Sequence, residues 1–289
     1  MKGFWKLLRW ELFKLYARPS SYIGFVLCLL FCAATLFGFG WSQYRGKQIQ
    51  GLKLDASQYL NGPFFANFVL NVAFFALLPL VVATVAGSQL AGEAKDGTLR
   101  AMMVRPPSRT AVYLAKAAAS LLWLELVIVF LILLSLLIGH VAYGGGDLLI
   151  YIWEYKSKGF WRVEASDWPA VFALSALGAG MALALVASVA MFLSALTDNP
   201  VVAHVGTLGA FFISTVLQRL PDQVMGDAFK ELLPTTHMNF WHEVYRWADP
   251  SGPGVDRSRI VEDLAWCGSL TVLAFAAGLF VFTRRDITS

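Results

Sequence analysis

Charge is what this sequence has least of. Of its 289 residues only 15% are Asp, Glu, Lys or Arg, against about a quarter in an ordinary soluble domain. Hydrophobic residues make up 57%, and the mean hydropathy is +0.61. That balance excludes a water-soluble globular domain. Cysteine is nearly absent too: Cys28, Cys32 and Cys267 all fall in charge-free stretches, so no extracellular disulfide framework is available. Cys28 and Cys32 share a helix face without a nearby His or acid, which suits packing or lipid contact better than a metal. The phosphate loop Gly-x-x-x-x-Gly-Lys-Ser/Thr, the Gly-x-Ser-x-Gly elbow and the His-Glu-x-x-His motif are all missing. ATP hydrolysis by a recognised motif is therefore excluded. Gly178 and Gly180 sit inside an apolar stretch, where small residues allow close helix contact rather than cradle phosphate.

What is present is length without charge. Residues 19–44, 56–92, 168–197, 199–218 and 264–283 carry no Asp, Glu, Lys or Arg, and a sixth stretch between Lys116 and Gly146 holds only Glu125 and His140 as titratable side chains. Backbone groups in a bilayer must be satisfied internally, so helices of about 20 residues are expected. The chain reads as an all-α integral membrane protein, one domain over 1–289, with six transmembrane helices near 20–43, 64–91, 117–138, 170–196, 200–218 and 264–283. Basic residues set the orientation. Segments 1–18, 92–116, 197–199 and 284–289 hold 12 Lys and Arg in 52 positions, whereas 44–61, 139–169 and 219–263 hold 11 in 94. The first set is expected on the cytoplasmic side, with both termini inside. The pI near 9.0 then reflects membrane topology and gives no reason to invoke nucleic acid.

Residues 2–18 precede a full-length span rather than a short signal core, so they are not read as a cleaved signal peptide. They are expected to form an interfacial amphipathic helix. Phe4, Trp5, Leu8, Leu12, Leu15 and Tyr16 fill one arc, and Lys2, Lys6, Arg9, Glu11, Lys14 and Arg18 lie outside it, facing lipid headgroups. Pro19 marks the bend into the first span. Between spans two and three, Asp96 or Thr98 can cap a short helix whose apolar face is Leu99, Met102 and Met103, flanked by Arg100 and Arg105 and ended by Pro106 and Pro107. A short rigid helix of this kind suits docking into a groove on another protein.

Several strings agree in order with one family. Leu60-Asn61-Gly62-Pro63-Phe64-Phe65, then Ala91-Gly92-Glu93 with Gly97-Thr98-Leu99-Arg100, Arg105-Pro106, Ser108-Arg109 and Lys116, resemble bacterial ABC-2-type permeases. So do Thr197-Asp198-Asn199-Pro200, Leu233-Pro234-Thr235-Thr236-His237 and Phe282-Thr283-Arg284-Arg285-Asp286-Ile287. These are the membrane subunits of ATP-binding-cassette exporters. The resemblance implies a permease in the cytoplasmic (inner) membrane that pairs with a second permease copy or a homologue. Each half would bind a separate cytoplasmic ABC ATPase, two copies in all, which uses ATP and Mg while this chain binds no cofactor. It also implies that the loop between spans two and three is a coupling helix, with Glu93, Asp96, Gly97, Thr98, Leu99, Arg100, Met102, Met103 and Arg105 as the ATPase contact. After span five, 220–247 would form short helices dipping into the outer leaflet as a cap, with Pro234, His237 and Trp241 among its residues. The outer loop 139–169, rich in Tyr, Trp and Lys, is longer than this family leads one to expect.

Two titratable groups fall within spans. Glu125 is a candidate for a pathway wall or dimer contact, because a charge at that depth costs of order 2.5–3.5 kcal/mol unless paired or wetted. His204 is a neutral hydrogen-bond donor or a proton relay. If both relayed protons, a proton-coupled secondary transporter would be the alternative, although no inverted repeat is visible. A membrane enzyme acting on lipid through His237, His242 and Glu243 is a further alternative. The five-residue spacing of the two His is wrong for one helical face, so no metal site is assigned to them.

Overall fold

The computed structural model describes residues 2–44, 60–98, 108–154, 157–248 and 254–285. Helix α1 (Lys2–Ala17) is followed by α2 (Pro19–Tyr44), α3 (Gly62–Ala76), α4 (Leu78–Lys95) and α5 (Arg109–Tyr143). A hairpin, β1 (Leu148–Glu154) and β2 (Ser157–Val163), comes next, then α6 (Trp168–Leu196) and α7 (Pro200–Gln218). Four short pieces follow: α8 (Asp222–Met225), α9 (Asp227–Lys230), a 3-10 helix (Pro234–His242) and α10 (Glu243–Ala248). Helix α11 (Arg257–Arg284) closes the described chain. Five of these helices are long and apolar enough to cross a membrane, and α3 with α4 makes a sixth span if counted as one bent unit.

The second span is broken where the sequence reads as continuous. Asn61 caps α3, accepting from the Phe64 N–H at 2.9 Å, and Pro63 follows within the first turn. Pro79 cannot donate to the preceding turn. The helix stops at Ala76, Leu77 sits between, and α4 departs at 48° to α3. Helix α5 is longer than its expected span: capped by Ser108, it starts at Arg109, ahead of 117, because its first two turns rest on protein and on an ion-paired lysine. Likewise α11 begins at Arg257 under the Asp256 cap rather than at 264.

Helix α6 is the hub of the bundle and packs against α4, α5, α7, α11 and the 3-10 helix. Its buried face is mostly Ala, Gly and Ser, among them Ala179, Gly180, Ala182, Ala187 and Ser194. Small side chains let backbones approach closely without a hydrophobic gradient to drive them. The Ser194 hydroxyl accepts from the α4 backbone N–H groups of Leu90, at 3.1 Å, and Ala91, at 2.9 Å. Cys28, Cys32 and Cys267 are buried and unbridged, so they pack.

The loop 139–169 is not plain coil, and the fold is not wholly helical. Leu148–Glu154 and Ser157–Val163 pair antiparallel, with Leu148 opposite Val163. Leu148, Ile150 and Val163 are buried, which fits the alternation of aliphatic and polar or aromatic residues across a two-sided ribbon. The hairpin is moored to the start of α3: the Asn61 amide donates to the Asp147 carbonyl at 2.6 Å, and Gly62 N–H donates to Gly144 O at 2.8 Å. Asp147 also pairs with Arg162, whose Nε lies 2.7 Å away, and the guanidinium holds the Asp147 carboxyl below the usual carboxylate range.

Candidate functional site

One end of the bundle carries a buried ion network built from three helices. In α1, Leu8, Glu11 and Leu15 share an inward stripe with the heptad-like spacing of a helix packed on one side. Sequence periodicity alone puts Glu11 and Lys14 among headgroups; instead they turn inward, while Trp5, Trp10, Phe13 and Tyr16 are exposed. The reason is the partner set. Glu93, near the end of α4, and Lys116, two turns into α5, are each almost wholly buried, at 1% and 0% exposure. Lys116 Nζ donates to Glu93 Oε1 at 2.7 Å and to Glu11 Oε2 at 2.8 Å. Lys14 Nζ bridges Glu11 at 2.8 Å and Glu93 at 2.9 Å, and Arg18 reaches Glu93 at 3.3 Å. Burial opposes the Lys14 charge, yet the two carboxylates outweigh it and hold its ammonium above the ordinary lysine range.

The network sits at the entrance to the loop that joins α4 to α5. Asp96 closes α4 as its C-cap, and Gly97 turns the chain at φ +71°, a region glycine adopts without a Cβ clash. The Thr98 hydroxyl donates back to the Glu93 carbonyl at 3.3 Å. The loop's exit is tied just as firmly. Ser108 Oγ accepts from Ala111 N–H at 3.2 Å, and Arg109 donates to the carbonyls of Thr283, at 3.1 Å, and Arg285, at 2.8 Å. Arg285 in turn donates to the carbonyls of Ala195 and Thr197, at 2.9 and 3.3 Å, and pairs with Asp198 at 2.7 Å. The entrance is therefore fixed to α1 and α5, and the exit to α11 and the α6–α7 turn.

The residues singled out from sequence fall in different places. Glu93 points into the network, so its carboxylate is not on the surface, whereas Asp96, Gly97 and Thr98 are exposed. Leu99, Arg100, Met102, Met103 and Arg105 lie outside the described residues. Glu125 and His204 stand at separate interfaces: Glu125 faces Gly180 across α5 and α6, and His204 of α7 lies on Gly87 of α4. His204 Nε2 has no hydrogen-bond partner among the described residues.

At the opposite end, the 3-10 helix packs on α6, α7 and α11, and α10 packs on α6 and β2. Pro234 opens the 3-10 helix, and Thr235 hydrogen-bonds Ser214 of α7 at 2.8 Å. Trp241 is buried over Gly178, whose missing Cβ makes the room, and its ring lies 5.2 Å from that of Phe74. His237 is held on both nitrogens: Nδ1 lies 2.7 Å from Asp263 Oδ1 and Nε2 lies 2.8 Å from the Glu231 carbonyl. Its ring stacks on Trp266 at 5.2 Å. Glu243 pairs with Arg246 at 3.0 Å. Among the described residues no group of three or more His, Cys, Asp or Glu is placed to hold a metal ion.

Sequence reasoning singled out neither Glu11 nor Arg285 as a site residue and treated Lys116 only as part of a motif. The signals were there: one acid in a basic helix, and one lysine inside an apolar helix, each needing a partner once buried. Among comparisons with known proteins, the family model described as ABC-2 family transporter protein matches residues 7–216. The matched region runs from α1 into α7 and takes in both ends of the α4–α5 loop. A search of curated proteins gives no match.

Proposed function

Because the chain belongs to the ABC-2 transporter family, we propose that it is the permease subunit of an ATP-driven exporter in the cytoplasmic membrane. A separate ABC ATPase, two copies per assembly, hydrolyses Mg-ATP. Two permease chains, identical or homologous, form the path. The N-terminus, the α4–α5 loop and the C-terminus face the cytoplasm, a reading that the density of Lys and Arg around them supports. The residues following α7 cap the outer end, with Pro234, His237 and Trp241 within that cap.

The observation that carries this reading is the double mooring of the α4–α5 loop. A loop whose entrance is salt-bridged to α1 through Glu93 and whose exit is held to α11 through Arg109 transmits displacement instead of absorbing it. In the mechanism we infer, ATPase closure pushes on 96–105, with Leu99, Met102 and Met103 as apolar contacts and Arg100 and Arg105 as polar ones. The ion network converts that push into a movement of α1, α4 and α5 together. Glu93 serves on the permease side of this linkage.

The test is a pair of charges in the apolar face. Leu99→Asp with Met102→Asp should abolish ATP-dependent export and weaken co-purification of the ATPase while leaving membrane insertion intact. Co-purification at the level of the unsubstituted protein would contradict the docking assignment.

A further inference from the structure

Helices α5 and α6 leave between them a groove of about 460 Å³. Its walls are Val129, Ile132, Leu136, Phe172, Ala173 and Ala176, with Trp168 at one end and Glu125 at the other. Leu133 and Leu177 stand on its rim at 60% and 56% exposure, so the groove opens sideways, out of the bundle. Glu125 lies near the middle of α5 and Gly180 near the middle of α6, and a Cβ at Gly180 would collide with the carboxylate. Glycine thus makes the space in which an acidic side chain can lie flat between two spans at mid-depth.

No cation, hydrogen-bond donor or ion pair engages Glu125 among the described residues. A charge at that depth costs about 2.5–3.5 kcal/mol on insertion scales, and a glutamine or leucine would fill the same space without that cost. The rest of the groove is apolar and of the size that encloses a small molecule, about 300–1,000 Å³. Anions are repelled by such a site, and a neutral polar solute would leave its donors unpaired against Phe172 and Ile132. A calcium or magnesium ion would find one carboxylate where it needs six or more oxygens, and zinc would find one ligand of the four it takes.

We propose that this groove is a binding site for a monovalent organic cation with an apolar or aromatic body, its charge against Glu125 and its body against Phe172 and Trp168. The lateral opening admits such a molecule from the membrane. Binding is a property of the permease alone and does not depend on the ATPase, so it stands or falls separately from the exporter reading.

The experiment uses the purified full-length chain in lipid nanodiscs, with tetraphenylphosphonium as the cation and tetraphenylborate as its anionic counterpart of the same shape. Saturable binding of the phosphonium, at least tenfold tighter than the borate, is expected. Glu125→Gln, which buries more easily than the acid and so keeps the fold, should lower phosphonium affinity by at least tenfold and abolish the discrimination. Ala173→Trp, which fills the groove without touching Glu125, should weaken phosphonium binding as well. Phosphonium affinity unchanged in Glu125→Gln would overturn the proposal. So would equal binding of the two ions to the unsubstituted protein, or no binding at all, the outcomes expected if a lipid chain or a second permease copy covers the groove.

Discussion

The substitution Glu93→Gln should cost more than its size suggests, and a second substitution should partly undo the damage. Glu93 Oε1 accepts from Lys116 at 2.7 Å, Lys14 at 2.9 Å and Arg18 at 3.3 Å, so the network holds three cations against the carboxylates of Glu93 and Glu11. Without Glu93, three cations share Glu11 alone. Lys14 and Arg18 are 20% and 31% exposed and can turn to water, but Lys116 is fully buried and cannot. Breaking a buried pair and stranding one charge costs about 3–5 kcal/mol; with two of the three cations able to relax, about 3 kcal/mol is expected. Lys116→Met removes the stranded charge instead, leaving two carboxylates with two cations, and should cost about 1 kcal/mol or less. The double variant Glu93→Gln, Lys116→Met should then be more stable than Glu93→Gln alone, with a coupling of about 2 kcal/mol, inside the range seen for residues in one network. Denaturant unfolding in mixed micelles, followed by tryptophan fluorescence, reads these differences; Trp123 lies 5.3 Å from Tyr16 of α1 and reports on that end. A double variant less stable than either single one, with additive losses, would refute the account of Lys116 as a charge held only by its partners.

Three further outcomes are expected. Lys14 is held above the ordinary lysine value of 10.5, so its contribution to stability is complete below that pH and is lost as pH rises through the higher folded value; unfolding from pH 9 to 12 should show an alkaline slope that Lys14→Met reduces, and identical slopes would contradict this. His237→Ala leaves Asp263 without its 2.7 Å partner and the Glu231 carbonyl without the ring nitrogen 2.8 Å away, and loosens the turn whose residue-237 backbone carbonyl accepts from Cys267 Sγ at 3.2 Å, costing about 1–3 kcal/mol. Maleimide should then label Cys267 faster while Cys28 and Cys32 stay slow, and unchanged labelling would mean that the cap does not depend on this histidine. Gly178→Val places a Cβ 2.7 Å from the Trp241 Cβ, so the 3-10 helix should lift at a cost of about 1–3 kcal/mol, read as a lower unfolding midpoint; an unshifted midpoint would show that the cap has slack.

Much of the frame was legible because the bilayer enforces it. Long charge-free stretches admit few structures besides helices, and the expected spans all lie within helices or within the bent α3–α4 pair. The break at Leu77 was visible as Pro79 but was masked by unbroken hydrophobicity on both sides. The hairpin was missed because Leu148–Glu154 is a short apolar run, and periodicity alone does not separate a short strand from helix or loop. The lone acid of α1 signals that Glu11 needs a partner, but which partner buries it and Lys14 is not legible in α1, since the partners are Lys116 and Glu93, 105 residues and 79 residues away in the pairs concerned. A helical wheel knows only its own helix. The Arg109 and Arg285 tethers were hidden as well: apart from Asp198, their acceptors are backbone carbonyls at helix ends, which leave no mark in composition.

The central claim is that this permease works with a separate ATPase, and the most direct measurement is to isolate the tagged chain in mild detergent, identify what accompanies it by mass spectrometry, and assay the sample for ATP hydrolysis. The account predicts an ABC ATPase in a one-to-one ratio with the permease chain and ATP turnover that is lost when that subunit is removed. Repeated isolation of a transport-active permease with no ATPase present would contradict it.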